Sequence, residues 1–164
     1  MNLFKKIGKS IAIAFSMYSK IPMVQFEWKE EDMRYSMCFF PLVGIVIGLL
    51  SWCWWLFCQQ FDIGKMCFAF VGIAIILLVT GGIHMDGYMD TMDALHSYGS
   101  REKKLEILKD SHIGAFAVIM TVLYVLIAAG AYSEIKNYSV MASFCGAYFL
   151  SRIFSAIAVV SFPC

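Results

Sequence analysis

The chain is 164 residues long, 60% hydrophobic and only 15% charged, with a mean hydropathy of +0.72. A water-soluble domain holds about 45–50% apolar and about 25% charged residues, so the composition excludes an ordinary soluble enzyme and calls for a lipid bilayer around much of the surface. Thirteen Lys and Arg against 12 Asp and Glu leave a formal net charge of +1, and no basic block marks a nucleic-acid surface, which excludes nucleic acid as a partner.

The first apolar stretch, residues 7–18 (IGKSIAIAFSMY), follows Lys5 and Lys6 and ends at Lys20-Ile21-Pro22. It is too short to span a bilayer and reads as an interfacial or re-entrant helix. No small-residue cleavage site accompanies it, so it is not read as a cleavable signal peptide. Lys20, at its end, is placed to approach an anionic ligand.

Four predicted spans follow. Residues 36–58 are uncharged and long enough for about 30 Å of hydrocarbon. Pro41 lies near their start, where proline is cheapest. Gly44 and Gly48 form a G-x-x-x-G pair that permits close helix contact, and Trp52, Trp54 and Trp55 gather toward the far end as interface aromatics do. The second span is near 66–83, the third near 113–132, and the fourth near 138–162, the last interrupted by Arg152. An arginine inside an apolar segment is costly, so Arg152 is expected to face the bundle interior or an aqueous pocket and to pair with an anion. The six cysteines lie mostly in or beside apolar runs without metal-ligand spacing and read as packed thiols. One membrane domain, 1–164, is expected.

Basic residues alternate along the connections. Lys5, Lys6, Lys9, Lys20, Lys29 and Arg34 precede the first span, only Lys65 follows it, Arg101, Lys103, Lys104 and Lys109 lie in the long 84–112 loop, and only Lys136 lies in the last connection. This alternation predicts a multi-pass protein of the cell inner membrane with its N-terminus and the 84–112 loop in the cytoplasm.

The most informative stretch is GGIHMDGYMDTMDALHS, residues 81–97. At about 3.6 residues per turn, Asp86, Asp90 and Asp93 share an arc of about 60° on one helix face. Stacked like charges repel, so something positive must compensate. A hard cation is the natural candidate, because Mg²⁺ prefers oxygen ligands and leaves room for substrate phosphates. His84 and His96 are possible zinc ligands, but three aspartates without a neighbouring cysteine favour magnesium. A merely solvated acidic helix start is the plainer alternative. Gly81, Gly82 and Gly87 permit tight bending and close backbone approach. Downstream, Lys109-Asp110-Ser111-His112 packs a cation, an anion, a hydroxyl and an imidazole against the third span. Arg152 fits a structural ion pair and a ligand contact equally well.

These motifs together resemble the membrane-embedded cobalamin synthases, the adenosylcobinamide-GDP ribazoletransferases. The resemblance runs through Tyr18-Ser19-Lys20-Ile21-Pro22, the proline-led Phe40-Pro41-Leu42-Val43-Gly44, the run Gly81–Asp93, Leu105–Phe116 and Ser151-Arg152, in order over most of the chain. Tyr18 departs from the family's usual phenylalanine. Family members are usually longer, so the chain is expected to be a C-terminally truncated member. The resemblance implies an all-α integral membrane protein, a polytopic helical bundle with an N-terminal interfacial or re-entrant helix. It implies transfer of α-ribazole or α-ribazole 5′-phosphate to adenosylcobinamide-GDP with release of GMP, dependent on Mg²⁺. The corrinoid nucleotide and α-ribazole are then the substrate partners, and a homo-oligomer is compatible with the sequence. Metal ligands would be Asp86, Asp90 and Asp93. Asp110 or Asp93 would take the proton from the ribazole hydroxyl, and Lys20, His84, Lys109, Ser111 and Arg152 would bind substrate. Two other classes stay open: a CDP-alcohol phosphotransferase-like enzyme, whose alanine-arginine pair is missing from Tyr88-Met89-Asp90-Thr91, and a non-enzymatic transport or scaffold component, for which most spans are too free of polar residues.

Overall fold

A computed structural model describes residues 3–24 and 35–162, with side chains from residue 5. Lys29, Arg34 and Cys164 lie outside the described residues. Among those residues all regular structure is helical: α1 (Leu3–Tyr18), α2 (Ser36–Gln60), α3 (Lys65–Thr80), α4 (Ile83–His96), α5 (Arg101–Ile107), α6 (Ala115–Ser133) and α7 (Tyr138–Ser161). Three of these, α2, α6 and α7, are long and apolar enough to cross a membrane.

The N-terminal helix α1 has 16 residues, which at about 1.5 Å per residue is about 24 Å, short of the hydrocarbon thickness. Ser10, Ala12, Ile13 and Ala14 are buried, whereas Lys5 and Lys6 are exposed. This amphipathic division fits a helix that does not span. Its last turn packs on the start of α2, where the Tyr18 ring meets Phe40 at 4.5 Å and the Tyr18 hydroxyl donates to the Met37 sulfur.

Helix α2 is the spine, touching α1, α3 and most extensively α7. The helix begins at Ser36, so Pro41 falls in its second turn rather than its first. There it removes the i+4 donor that the Met37 carbonyl would otherwise have. The G-x-x-x-G pair is used as expected. A Cβ on Gly44 would stand 2.5 Å from the Tyr148 carbonyl oxygen, and one on Gly48 would stand 3.1 Å from the Cys145 carbonyl oxygen. The Cys145 thiol also donates to the Gly48 carbonyl at 3.1 Å. Glycine therefore lets α2 and α7 meet backbone to backbone.

At the end of the bundle carrying Trp55, the core is Trp55, Cys58, Phe68, Ile73, Tyr132 and Met141. At the other end Phe40, Val43 and Ile47 pack with Phe15, Tyr18 and Tyr148. The outer surfaces of α6 and α7 stay apolar and exposed, including Ile119, Val122, Leu126, Ile127, Phe154 and Ile157. Such faces are stable where the solvent is hydrocarbon.

The expected second span is shorter than its apolar run. Helix α3 stops at Thr80, and the chain turns by 96° into α4. The turn is a Schellman motif: the Gly82 N–H donates to the Leu77 carbonyl at 3.0 Å and the Gly81 N–H to the Leu78 carbonyl at 3.3 Å. Gly81 has φ +63° and Gly82 has φ +79°, a left-handed conformation that glycine adopts without steric cost. Gly82 then opens α4, its carbonyl accepting from the Asp86 N–H at 2.8 Å. The expected 84–112 loop is thus mostly helical. It consists of α4, the short α5, and the turns around them.

Candidate functional site at the glycine elbow

The elbow between α3 and α4 divides two cavities. Residues two apart on a helix point about 200° apart, so Asp86 and His84 open to opposite sides of α4. The outer cavity, of about 690 Å³, is lined by Ser19 and Lys20 from the end of α1, by Gly81 and Gly82, and by Asp86 and Met89. The inner cavity, of about 360 Å³, lies among α3, α4, α6 and α7. It is lined by Thr80, His84, Tyr88, Tyr124, Tyr148, Ser151, Arg152 and Ser155. Leu77, Thr80 and Met85 belong to both walls.

Lys20 is fixed by backbone. Its N–H donates to the Val79 carbonyl at 2.8 Å, tying the end of α1 to the last turn of α3. Its aliphatic stem crosses Gly81 so closely that any Cβ there would collide with it. The Ser19 hydroxyl donates to the Phe15 carbonyl at 2.7 Å and accepts from the Ile21 N–H at 3.3 Å, which closes the turn that presents Lys20.

The three aspartates diverge in their surroundings. Asp86 is exposed at the outer cavity and Asp90 is half-buried one turn on. Among the described residues neither carboxylate has an ion-pair or hydrogen-bond partner. Asp93 is different. Its Oδ2 accepts from the Gly114 N–H at 2.7 Å and its Oδ1 from the Ala117 N–H at 2.8 Å. Gly114 is the N-cap of α6 and supplies no capping side chain of its own. The aspartate therefore caps a helix 21 residues away in sequence. The positive end of the α6 dipole compensates its charge. A Cβ on Gly114 would stand 2.5 Å from the Asp93 carboxylate, so glycine makes the approach possible.

Neighbouring contacts hold α4 along α6. His96 stacks on Phe116 at 5.0 Å, with its Nδ1 against the Met92 carbonyl at 2.8 Å. The Tyr88 and Tyr124 rings lie 5.9 Å apart. His96 is thus a packing residue. Lys104 closes the other end of α4, its ammonium donating to the Leu95 carbonyl at 3.3 Å.

Lys109, Asp110 and Ser111 are exposed in the turn before α6 and line neither cavity. Asp110 Oδ1 accepts from the His112 N–H at 3.1 Å and lies 2.6 Å from His112 Nδ1. These hydrogen bonds hold the Asp110 carboxyl below its ordinary range, and the bond to Asp110, with its charge, holds the His112 imidazole above its own.

Arg152 faces the inner cavity, as its placement in an apolar segment required. Its Nη1 donates to Ser151 Oγ at 2.9 Å, and its guanidinium lies 5.8 Å from the Tyr148 ring centroid. The buried Nε has no hydrogen-bond partner, and among the described residues no carboxylate pairs with the group. His84 lines the same cavity and packs on Phe40 at 5.6 Å. Partial desolvation on the cavity wall first, and then the charge of Arg152, favour its neutral form, although the residue stays exposed.

The elbow therefore gathers Lys20 and Asp86 on one side and His84 and Arg152 on the other. Asp93 and the Lys109–Ser111 turn sit at the start of α6. Among the described residues no three His, Cys, Asp or Glu side chains are close enough to hold a metal ion together. The tyrosines and serines of the inner cavity were missed in the sequence. Their signal was the polar row Tyr148, Ser151, Arg152 and Ser155, spaced by three and four along an otherwise apolar α7.

These features define an all-α, multi-pass membrane protein with its polar side chains collected around a glycine elbow. The family model described as cobalamin-5-phosphate synthase matches residues 10–164, and the chain belongs to that family. It is 46% identical over 155 residues to an adenosylcobinamide-GDP ribazoletransferase of Lachnoclostridium phytofermentans, covering 93% of this chain and 58% of the relative. It is 36% identical to that of Clostridium perfringens strain SM101, covering 73% of this chain and 47% of the relative. The enzyme of the same name from Brevibacillus brevis is 40% identical, with 76% and 50% covered. The chain spans about half the length of the curated relatives it matches. No solved structure matches it.

Proposed function

We propose that the elbow is the reaction centre of a ribazole transfer. The hydroxyl oxygen of α-ribazole or its 5′-phosphate forms a bond to the corrinoid-side phosphorus of adenosylcobinamide-GDP, the bridging P–O bond breaks, and GMP leaves with the electron pair. The observation that carries this reading is the outer cavity. There the Lys20 ammonium, the Asp86 carboxylate and the backbone of Gly81 and Gly82 surround one space, a combination suited to a diphosphate and its counter-ion.

The donor set fits magnesium. Asp86 and Asp90 are one turn apart with no competing partner among the described residues, and Mg²⁺ is commonly held by one or two carboxylates together with substrate phosphates. Asp93 would be a third ligand only by sharing oxygens that already accept two N–H bonds. Bound there, the ion would neutralise charge on the diphosphate and on the departing GMP. Lys20 binds a phosphate oxygen as a point charge, and its contact with Gly81 holds it in place. Of the two candidate proton acceptors Asp93 is engaged on both oxygens, which leaves the role to Asp110, a weak base held below its ordinary range by His112, in the turn before α6 and outside both cavities. Lys109 and Ser111 stand beside it to contact phosphate. In this reading the elbow and the 108–114 turn face the cytoplasm, which the alternation of Lys and Arg along the connections supports.

The test is GMP release from adenosylcobinamide-GDP and α-ribazole 5′-phosphate, run beside a CDP-alcohol substrate, with Mg²⁺ or with chelator. We expect release only with the first substrate pair and only with Mg²⁺. In a relative of full length, the change equivalent to Asp90→Asn should lower turnover by at least about a hundredfold, since charge compensation and positioning are both lost. Turnover close to normal at saturating Mg²⁺ would remove Asp90 from the metal site.

A further inference from the structure

We infer that the inner cavity is a separate subsite for a phosphorylated nucleoside, with its phosphate on Arg152 and its flat base among Tyr88, Tyr124 and Tyr148. The inference deepens the proposed function and rests on it, because a transfer between two substrates needs two adjoining sites.

The argument starts from an uncompensated charge. Arg152 has no carboxylate partner among the described residues and an unpartnered buried Nε, in a segment that crosses the membrane. A guanidinium in that setting is stable when an anion or water reaches it. It presents parallel N–H donors, and only Nη1 is engaged, by Ser151. The free donors suit a tetrahedral oxyanion, which accepts two parallel bonds. The rest of the wall suits a flat ring. Tyr88, Tyr124, Tyr148 and Phe40 supply aromatic surface, and Ile76 and Leu77 supply aliphatic surface. A volume of about 360 Å³ lies at the small end of ligand pockets, which run from about 300 to 1,000 Å³.

The outer cavity has a different chemistry. It carries a carboxylate, Asp86, beside the Lys20 ammonium and has no aromatic lining, so it lacks the flat apolar walls that would take a base. The two cavities share Leu77, Thr80 and Met85 as a common wall. A ligand in each would meet across the elbow and across nothing thicker.

The experiment uses this chain in nanodiscs of zwitterionic lipid and measures binding of α-ribazole 5′-phosphate and of α-ribazole by calorimetry. In the native protein the phosphate should tighten binding at least about tenfold, the scale of one charge-assisted contact. Arg152→Gln should remove that preference and leave α-ribazole affinity unchanged, and Arg152→Lys should restore part of it. A preference for phosphate that survives Arg152→Gln would overturn the proposal, as would equal binding of the two forms by the native protein. As a readout that does not need an Arg152 variant, Ser155→Cys in a background without native cysteines should be protected from a thiol reagent by α-ribazole 5′-phosphate. Absence of protection would also overturn it. Nanodiscs containing phosphatidic acid form a further arm. If that lipid protects Cys at 155 and the nucleotide does not, the cavity holds a lipid phosphate and the inference fails. Binding of adenosylcobinamide-GDP is followed in parallel. Its loss upon Asp86→Asn tests the proposed function by itself, so the two readings can fail separately.

Discussion

Asp93 accepts the Gly114 and Ala117 N–H groups with its two oxygens, which gives the third aspartate of the acidic run a structural task. Asp93→Ala should destabilise the protein by about 1–2 kcal/mol, the scale of a lost N-cap, and Asp93→Asn by less, because the amide oxygen still accepts. Thermal unfolding in detergent measures both. Mn²⁺ binding followed by electron paramagnetic resonance should change little in Asp93→Asn, and a lost signal would make Asp93 a ligand. A second residue-scale prediction concerns Asp110 and His112. The raised His112 value means that its contribution is full below the ordinary histidine range and is lost as pH rises through the raised value. The depressed Asp110 value means that its contribution is present above the ordinary carboxylate range and is lost as pH falls through the depressed one. The contact is therefore strongest between the two. Asp110→Asn should bring the His112 midpoint down toward about 6.5, read by imidazole NMR, and an unmoved midpoint would remove the pair. The carboxylate arc was legible in the sequence because helical spacing alone places Asp86, Asp90 and Asp93 on one face. That Asp93 also caps α6 was not legible, since its partners lie on another helix and are backbone groups that carry no sequence signature.

The elements show the same division. The uncharged runs marked α2 and α6, and an apolar run broken by Arg152 marked α7, because hydrocarbon makes composition decisive. On α7 only Arg152 was visible as an interruption; Tyr148 and Ser155, which share its face, were not singled out. The elbow was half visible. Gly81-Gly82 signalled a bend, but the apolar run continues through Ile83, so nothing in composition fixed the end of α3 at Thr80. What ends it is a Schellman motif, which depends on φ and not on hydropathy. The two glycines should differ when substituted. Gly82→Ala has open space around its Cβ and should cost about 1–2 kcal/mol for the left-handed conformation. Gly81→Ala bears the same conformational cost and also collides with the Lys20 stem, so it should cost more. Adding Lys20→Ala should recover the difference, leaving the double variant close to Gly82→Ala in thermal unfolding. No recovery would mean that Lys20 does not lie across the elbow.

At the scale of the whole molecule, the alternation of Lys and Arg predicts an orientation that can be measured. Ser100→Cys, in a background without native cysteines, should resist an impermeant thiol reagent added to sealed cells and react after permeabilisation. Strong labelling from outside would place the elbow on the opposite side. The α2–α7 contact has a further consequence, and it concerns assembly in time. Gly48 and Cys145 are 97 residues apart, so a ribosome at about 5–20 residues per second needs on the order of 5–20 s to pass from one to the other. Throughout that interval the Gly44–Gly48 groove of α2 waits in lipid without its partner. Helix α7 brings Arg152 into the membrane late and closes the inner chamber as it docks. Among the described helices α7 is thus the last to dock, a charged helix meeting a preformed groove, and that step sets when the inner cavity first has all its described walls.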